Sequence, residues 1–441
     1  MLTSTTIKKQ FANLEPSDTW SFSDEARSAT SAYTHSYHRY PAKFIPQIVD
    51  KLVTKYTKSG DVVLDPFGGC GTTLVESKLL GRQSVGIDIN PIAKLITQVK
   101  VTPINPQALE KEVDRVLSEL EKYSSDKYKS NKVNKHSRLE YWFDPIIIQE
   151  LDFIYKVINE TKNEKIKRFF LVAFSHNLKN ASRWLMKSIK PTIDKSKTPD
   201  SPSKTFKRHL RSMVRKNEGY FEELAKRSHL NVQAKMYRQD ATKKLPVKNG
   251  SVNLIVTSPP YVTSYEYADL HQLSLLWFGS DPNFKQWNKH IDDFSSFRKE
   301  FIGTKHKGKG ATDFNSELAT DIVDRLASEK GSLSASVGDY FADMNLAFSE
   351  MYRTLRKGGH ACIVIGNTEL KGVDILNAEV AAEQMTRIGF QKVRFIKRKA
   401  ASNKAITPWR DKKTGKFTSK SNRSKKMAYQ YEYIIIMKKP S

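Results

Sequence analysis

The sequence predicts an α/β fold, a largely parallel sheet with helices on both faces, and three stretches predict it. From Asp61 to Leu64 a short apolar run ends at Asp65 in a glycine-rich turn; Thr73 to Leu80 then reads as a helix closed by Gly81; a second apolar run, Ser84 to Ile87, ends at Asp88. Strand, turn, helix, strand is how a parallel sheet begins, because parallel neighbours need a crossover between them.

Residues 1–30 read as an N-terminal arm, and one core domain spans 31–100 and 236–441. Between its halves the pattern turns helical, with Leu109, Val113, Val116, Leu117 and Leu120 on one face. A second helical region runs from about Ile146 to Arg183 and carries Leu151, Ile154, Phe169, Phe170 and Phe174. Lys187 to Arg227 is rich in Lys, Arg, Ser and Pro and reads as basic, partly mobile surface. Residues 101–235 are therefore expected to be a mainly helical, basic insertion. Strand signals resume at Val252 to Val256. Residues 281–335 are polar, hold Gly303, Gly308 and Gly310 among lysines, and read as a loop or lid with little core of its own. Helix Tyr340 to Leu355, strand Ala361 to Ile365, helix Ala378 to Ile388, strand Lys392 to Ile396 and strand Tyr431 to Met437 complete the pattern.

The chain has 441 residues, enough for a large core, and its hydrophobic share of 39% is that of a globular protein. No apolar run approaches the roughly 20 residues that a membrane helix needs. Met1 to Glu15 carries lysines without an apolar stretch after them, so no signal peptide or lipid anchor is read and a cytoplasmic location is expected. Cys70 and Cys362 lie far apart with no metal-ligand spacing, which excludes a disulfide scaffold and gives no metal site. Lys plus Arg number 74 against 47 acidic residues, a net charge of +27. That excess points to a polyanionic partner, since neutralising phosphates releases condensed counterions.

Two segments carry chemistry. In Leu64-Asp65-Pro66-Phe67-Gly68-Gly69-Cys70-Gly71-Thr72-Thr73 a strand passes through a tight glycine turn into a helix, which brings backbone close to a ligand and points helix N–H groups at it. Nucleotide-binding folds of several kinds share such a turn. Asp88, at the end of the next strand, stands where a carboxylate accepts both hydroxyls of a ribose. No lysine follows the turn as phosphate transfer would require.

The second segment, Thr257-Ser258-Pro259-Pro260-Tyr261, ends an apolar strand. An exocyclic amino group on a base is a poor nucleophile because its lone pair is delocalised into the ring. Two acceptors on its two hydrogens pull the nitrogen toward tetrahedral geometry and aim the lone pair at a methyl donor. The Ser258 hydroxyl and the Pro259 carbonyl can be those acceptors, consecutive prolines hold the carbonyls rigidly, and Tyr261 offers a face for an extruded base.

Together the two segments resemble the cofactor and catalytic motifs of the amino-methylating DNA methyltransferases, the modification enzymes of bacterial restriction systems. His38-Arg39-Tyr40-Pro41-Ala42-Lys43-Phe44 resembles the family's element before the glycine turn, Gln239-Asp240-Ala241 its adenine-contacting motif, and Arg356-Lys357-Gly358-Gly359 a mark of the wider fold. The resemblance covers roughly residues 35–100 and 236–440. It implies a Rossmann-like class I methyltransferase sheet, S-adenosylmethionine as cofactor and double-stranded DNA as partner. Tyr40, Pro41, Lys43, Asp65, Pro66, Phe67, Gly68, Gly71 and Thr72 would line the methionine side, Asp88 the ribose, Asp240 the adenine, and Ser258, Pro259, Pro260 and Tyr261 the target base. Lys43 faces either the cofactor or only water. Serine first in the catalytic tetrapeptide is the form usual in N4-cytosine enzymes, whereas adenine enzymes mostly carry Asp or Asn there. The cofactor motif precedes the catalytic one, as in two of the family's permuted orders.

Methylation at carbon 5 of cytosine needs a cysteine nucleophile beside the base, and neither cysteine is placed for it. For DNA contact the expected surfaces are the end of the insertion, with Lys204, Lys207, Arg208, Arg211 and Arg215, and the segment Lys397 to Lys426. The latter includes Lys397, Arg398, Lys399, Arg410, Lys412 and Lys413, against one acid, Asp411. The rival readings are an RNA amino-methyltransferase and a nucleic-acid-binding protein with a decayed catalytic fold. No nuclease constellation stands out, so a cognate endonuclease would be a separate chain.

Overall fold

The computed structural model describes residues 2–22, 25, 27–41, 43–128, 136–262, 266–281, 284, 291, 293–329, 331–399, 409–412, 418–419, 421–427 and 430–441. Five strands are laid down first, β1 (Val62–Asp65), β2 (Gln83–Asp88), β3 (Ala234–Arg238), β4 (Val252–Thr257) and β5 (Leu355–Ile365). β6 (Thr368–Leu370) and β7 (Val373–Ile375) form a small ribbon, as do β9 (Trp409–Asp411) and β10 (Lys425–Met427). With β8 (Gln391–Lys399) and β11 (Tyr431–Lys438), the first five build one sheet in the order β3-β2-β1-β4-β5-β11-β8.

β1, β2, β3, β4 and β5 pair in parallel, and β11 runs antiparallel to both β5 and β8. This is the Rossmann-like α/β arrangement expected from the sequence. The strand order reverses between β1 and β4, and in open sheets of this kind the crevice beyond the carboxyl ends at that point is where ligands bind.

Alternation along the strands sends side chains to both faces. Val63, Leu254, Val256, Cys362, Val364, Ile434 and Ile436 meet α3 (Pro46–Tyr56) on one side. Leu64, Ile255, Ile363, Ile365, Ile435 and Met437 meet the opposite helices. These are α1 (Ser4–Ala12), α13 (Glu317–Glu329), α14 (Gly331–Thr354) and α15 (Asn377–Ile388). A short α2 (Arg27–Thr30) precedes the sheet, and α4 (Thr72–Leu79) and α5 (Pro91–Lys100) follow β1 and β2.

Between β2 and β3 lie α6 (Pro106–Glu121), α7 (Arg138–Trp142), α8 (Pro145–Asn159), α9 (Glu164–Ala181) and α10 (Pro202–Lys226). They share a core of their own with α5 and with α11 (Gln272–Gly279) and α12 (Phe294–Lys299), including Ile96, Leu151, Phe169, Phe170, Phe174, Phe206, Leu210 and Trp277.

Three sequence expectations need correction. The stretch Lys187 to Arg227, expected as basic, partly mobile surface, is from Pro202 onward a 25-residue helix, α10, capped by Ser201, with Phe206, Leu210, Met213, Tyr220 and Leu224 buried along one stripe. Its three- and four-residue spacings lie hidden among Lys and Arg. Residues 281–335 are not simply a lid, because Leu318, Ala319, Ile322 and Leu326 of α13 are buried in the main core. The N-terminal arm is packed on the core at α1, which buries Ile7 and Phe11, the latter 4.6 Å from the Phe395 ring. The range 101–235 ends inside β3, a sheet strand whose pattern was not legible.

Candidate active site

Asp65 ends β1 with a buried carboxyl. Its Oδ1 accepts from the Phe67 backbone N–H at 3.1 Å and from the Thr257 hydroxyl at 2.6 Å. Burial pushes its pKa up to about 6, against the lowering pull of those hydrogen bonds. The Thr257 bond ties the end of β1 to the end of β4, so the two motifs 192 residues apart share one edge.

The turn after Asp65 is compact: Gly68 N–H donates to Ile87 O at 2.8 Å and Gly71 N–H to Gly68 O at 2.7 Å. Gly69 and Gly71 both have positive φ, +48° and +77°. A Cβ on Gly71 would lie 2.6 Å from Thr97 Cγ2, and one on Gly69 would meet the Tyr40 hydroxyl at 3.3 Å. Asp88 organises the same turn, its Oδ2 accepting from Gly69 N–H at 3.0 Å and its Oδ1 from Asn90 N–H at 2.8 Å. Burial raises its pKa to about 6 as well.

Tyr40 lies against this turn, with its phenol pushed well above its ordinary value by burial and by the nearby Asp88 carboxylate. Asp240 follows β3, the parallel neighbour of β2, and Gln239 N–H donates to Asp88 O at 3.1 Å. The Asp240 Oδ1 accepts from Thr242 N–H at 2.9 Å and from its hydroxyl at 2.8 Å. Tyr40, Asp65, Gly68, Gly71, Asp88 and Asp240 thus gather around the carboxyl ends of β1, β2 and β3. Pro41, Pro66 and Phe67 sit in the adjoining turns, and Phe67 packs against the sheet core. Thr72 is buried at the start of α4, 3.7 Å from the Cys70 sulfur.

Lys43 is a correction. Its ammonium donates to Thr30 O and His35 O, both at 3.2 Å, which anchors residues 30–35 and assigns Nζ a structural task rather than a cofactor contact.

At the end of β4, Pro259 is buried and Ser258, Pro260 and Tyr261 are half-buried. The Tyr261 hydroxyl donates to Glu432 Oε1 at 3.3 Å, and a Cβ on Gly366 would meet its ring at 3.3 Å. Gly303, with φ +79°, lies so close that a Cβ there would come 3.0 Å from Tyr261 O. Sequence reasoning missed Glu432, Gly366, Gly303 and His271, whose ring lies 5.3 Å from Tyr40. Only the fold shows these four, because each reaches the site across strands or loops remote in sequence.

Of the DNA-contact candidates, Lys204, Arg208 and Arg215 are exposed on α10. Lys207 pairs with Glu121 at 3.5 Å, and Arg211 pairs with Glu110 and with Asp114, the latter at 3.3 Å. Lys397 places its ammonium 4.6 Å from the Tyr431 ring, and Lys399 and Lys412 are exposed. Arg410 lies in β9, and Lys413 falls outside the described residues. Arg398 is a second correction: only 1% exposed, it pairs with Glu432 and donates to Trp20 O and Ser21 O, both at 2.8 Å. Alternation along β8 turned it inward, where it holds the residue that touches Tyr261. Cys70 and Cys362 are both buried, and burial pushes the Cys362 thiol up, which suits packing and not nucleophilic attack.

The DNA methylase family profile matches residues 4–98 and 252–441. A relative from Kocuria varians, the Type II methyltransferase M.MvaI, is 26% identical over 375 residues, covering 78% of this chain and 79% of its own. M.BsoBI of Geobacillus stearothermophilus, also a Type II methyltransferase, is 25% identical, covering 82% of this chain and 79% of its own. Among solved structures, a putative DNA modification methylase of Thermus thermophilus in complex with S-adenosyl-L-methionine matches with a TM-score of 0.20 at 18% identity, over 46% of this chain and 54% of that one. The profile spans both halves of the sheet and both of the motifs that Thr257 and Asp65 join, and the chain belongs to the DNA methylase family of N6 and N4 amino-methyltransferases.

Proposed function

We propose that this DNA amino-methyltransferase acts on the N4 amino group of cytosine in double-stranded DNA, on a base flipped out of the helix, as the modification enzyme of a restriction system. The observation that carries the reading is the 2.6 Å bond from Thr257 to Asp65, which holds the serine-proline segment against the glycine turn at the strand-order reversal.

S-adenosylmethionine is the cofactor of this family, and the residues present fit it. Gly68 and Gly71 let the turn pack tightly, since a Cβ on Gly68 would meet the Met236 methyl carbon at 3.1 Å and one on Gly71 would lie 2.6 Å from Thr97 Cγ2, and this compact turn would bring backbone close to the cofactor. Asp88 stands with carboxylate oxygens directed at the turn for ribose hydroxyls, and Asp240 stands one strand over for the adenine amino group. When bound, the cofactor supplies an electrophilic methyl group. Ser258 Oγ and Pro259 O would accept hydrogen bonds from the two amino hydrogens of the base and turn its lone pair toward the methyl group, one proton leaving the nitrogen as the methyl is gained. Tyr261, steadied through Glu432, would stack on the base, and the stacking aromatic makes an extruded base less costly to hold. Serine at position 258 supports cytosine over adenine, by the family tendency. The relatives named Type II methyltransferases support a modification role, and in this reading any cognate endonuclease is a separate chain.

The test is transfer of labelled methyl from S-adenosylmethionine to duplex DNA and, separately, to transfer RNA, with digestion to nucleosides. N4-methyldeoxycytidine is expected. Label on N6 of deoxyadenosine overturns the base assignment, and label confined to RNA overturns the substrate.

A further inference from the structure

A cavity of about 260 Å³ opens between α9, α10 and the loop that carries Tyr40. Arg39, His176, Asn180, Arg208, His209 and Ser212 contribute to its wall. Thr205, the remaining lining residue, already donates its hydroxyl to Asn177 Oδ1 at 2.5 Å. No carboxylate lines it among the described residues.

The hydrogen-bond pattern decides what the wall offers. Arg39 Nη2 donates to Asn180 Oδ1 at 2.9 Å, and because a guanidinium only donates, the Asn180 amide must present its NH2 elsewhere. The Arg39 backbone N–H donates to His176 Nδ1 at 3.3 Å, so the proton of that neutral imidazole sits on Nε2. His209 Nε2 donates to Tyr37 O at 2.9 Å, and its ring stacks on His176 at 3.7 Å and 10°, which fixes the His176 plane. The wall therefore offers the guanidiniums of Arg39 and Arg208 with the Asn180 NH2, the His176 Nε2–H and the Ser212 hydroxyl as donors, against the His209 Nδ1 as an acceptor, and nothing acidic. Such a surface suits a ligand that is an anion and accepts on several oxygens at once.

A run of packed rings lies between the cavity wall and the glycine turn. His38 lies 5.5 Å from His176 and 5.4 Å from His271, and His271 lies 5.3 Å from Tyr40, whose hydroxyl covers Gly69. Arg39 is the residue directly before Tyr40.

We propose that this cavity between α9 and α10 seats one backbone phosphate of the bound DNA strand, gripped jointly by Arg39 and Arg208 and aligned by His176 and Asn180. The proposal rests on duplex DNA being the substrate. Its chemistry is that of any phosphate, so free inorganic phosphate is the alternative occupant.

The experiment measures duplex DNA affinity of the full chain against KCl concentration for wild type, Arg39→Gln, Arg208→Gln and the double variant, with S-adenosylmethionine affinity measured in parallel. Arg208 is exposed on a helix, so its variant folds even if Arg39→Gln does not. One phosphate contact contributes about 0.9 to the slope of log affinity against log salt. The double variant is expected to lose about 0.9, equivalent to about eightfold in affinity between about 1 M and 0.1 M salt, with cofactor affinity unchanged. Arg208→Gln alone should lose part of that slope.

An unchanged slope overturns the seat. A loss of about 1.8, additive over the two arginines, overturns it too, since two separate surface contacts would then be involved. If inorganic phosphate raises the melting temperature of wild type but not of the double variant while the DNA slopes agree, the cavity takes a free anion and the strand assignment falls. Wild type without salt-dependent duplex binding would instead overturn the functional reading itself.

Discussion

Asp65 and Asp88 are carboxyls held out of water at the mouth of the glycine turn, each with a pKa near 6 where an ordinary aspartate has 3.8. The sign follows from linkage: a carboxyl whose folded value is raised makes the folded state less stable above that value, and the penalty is relieved as pH falls from about 6 to about 4. Asp65→Asn keeps an oxygen for Thr257 and Phe67, so it should stabilise the cofactor-free protein by up to about 3 kcal/mol near pH 7.5 and by little near pH 4, read from thermal melts. A melting temperature that drops at both pH values would refute this. In the proposed role the ionised Asp88 accepts from the ribose hydroxyls, so cofactor affinity should fall up to about tenfold from pH 6 to pH 5, and Asp88→Asn should flatten that dependence in a binding titration. Tyr261→Ala should lower turnover while leaving cofactor affinity intact, because stacking concerns the base and not the donor. Loss of cofactor binding in a folded Tyr261→Ala protein would count against that role. The side chains of both motifs were readable in the sequence, since each local segment states its own turn chemistry. The supports of Tyr261 were not, because Glu432 on β11, Gly366 at the end of β5 and Gly303 in the loop before α13 arrive from separate parts of the chain.

Elements carry a different lesson, of which α10 and β8 are the clearest cases. α10 has a charged majority that conceals its apolar stripe, and tertiary packing rather than composition makes it a core helix. Phe206→Ala, emptying a fully buried aromatic site, should cost about 3–5 kcal/mol, seen as a shift in the urea midpoint. A mobile surface segment would show almost none. In β8 the basic run Lys397-Arg398-Lys399 looked uniform, yet strand alternation sends the middle residue inward. Arg398→Ala should therefore destabilise the protein by about 3–5 kcal/mol, because it strands Glu432 and two backbone carbonyls, whereas Lys399→Ala should leave the melting temperature unchanged. The turn between β1 and α4 needed no tertiary knowledge: its glycines with positive φ follow a strand and open a helix within ten residues of sequence.

At the scale of the molecule, the sheet order places β1 and β4 side by side although the helical segment and the whole of β2 and β3 separate them in sequence. The helices between β2 and β3 share one hydrophobic core with α5, α11 and α12, so the insertion packs directly on the helix that follows β2. No described helix is long and apolar enough to cross a membrane, and the net charge of +27 stays available for a polyanion. By itself the sequence determined the α/β class and the two motif-bearing strand ends, and it supplied the expectation of an anionic partner and the residue roles now proposed. These are local or additive properties, written in turn glycines, short apolar runs and summed charge. The tertiary structure alone decided which charges face solvent, that Lys43 and Arg398 are structural, that Thr257 joins the motifs through Asp65, and that Arg39 and Arg208 wall one cavity. Those facts depend on strand register and helix packing between residues far apart in the chain, and no local pattern encodes which distant side chain will be the neighbour.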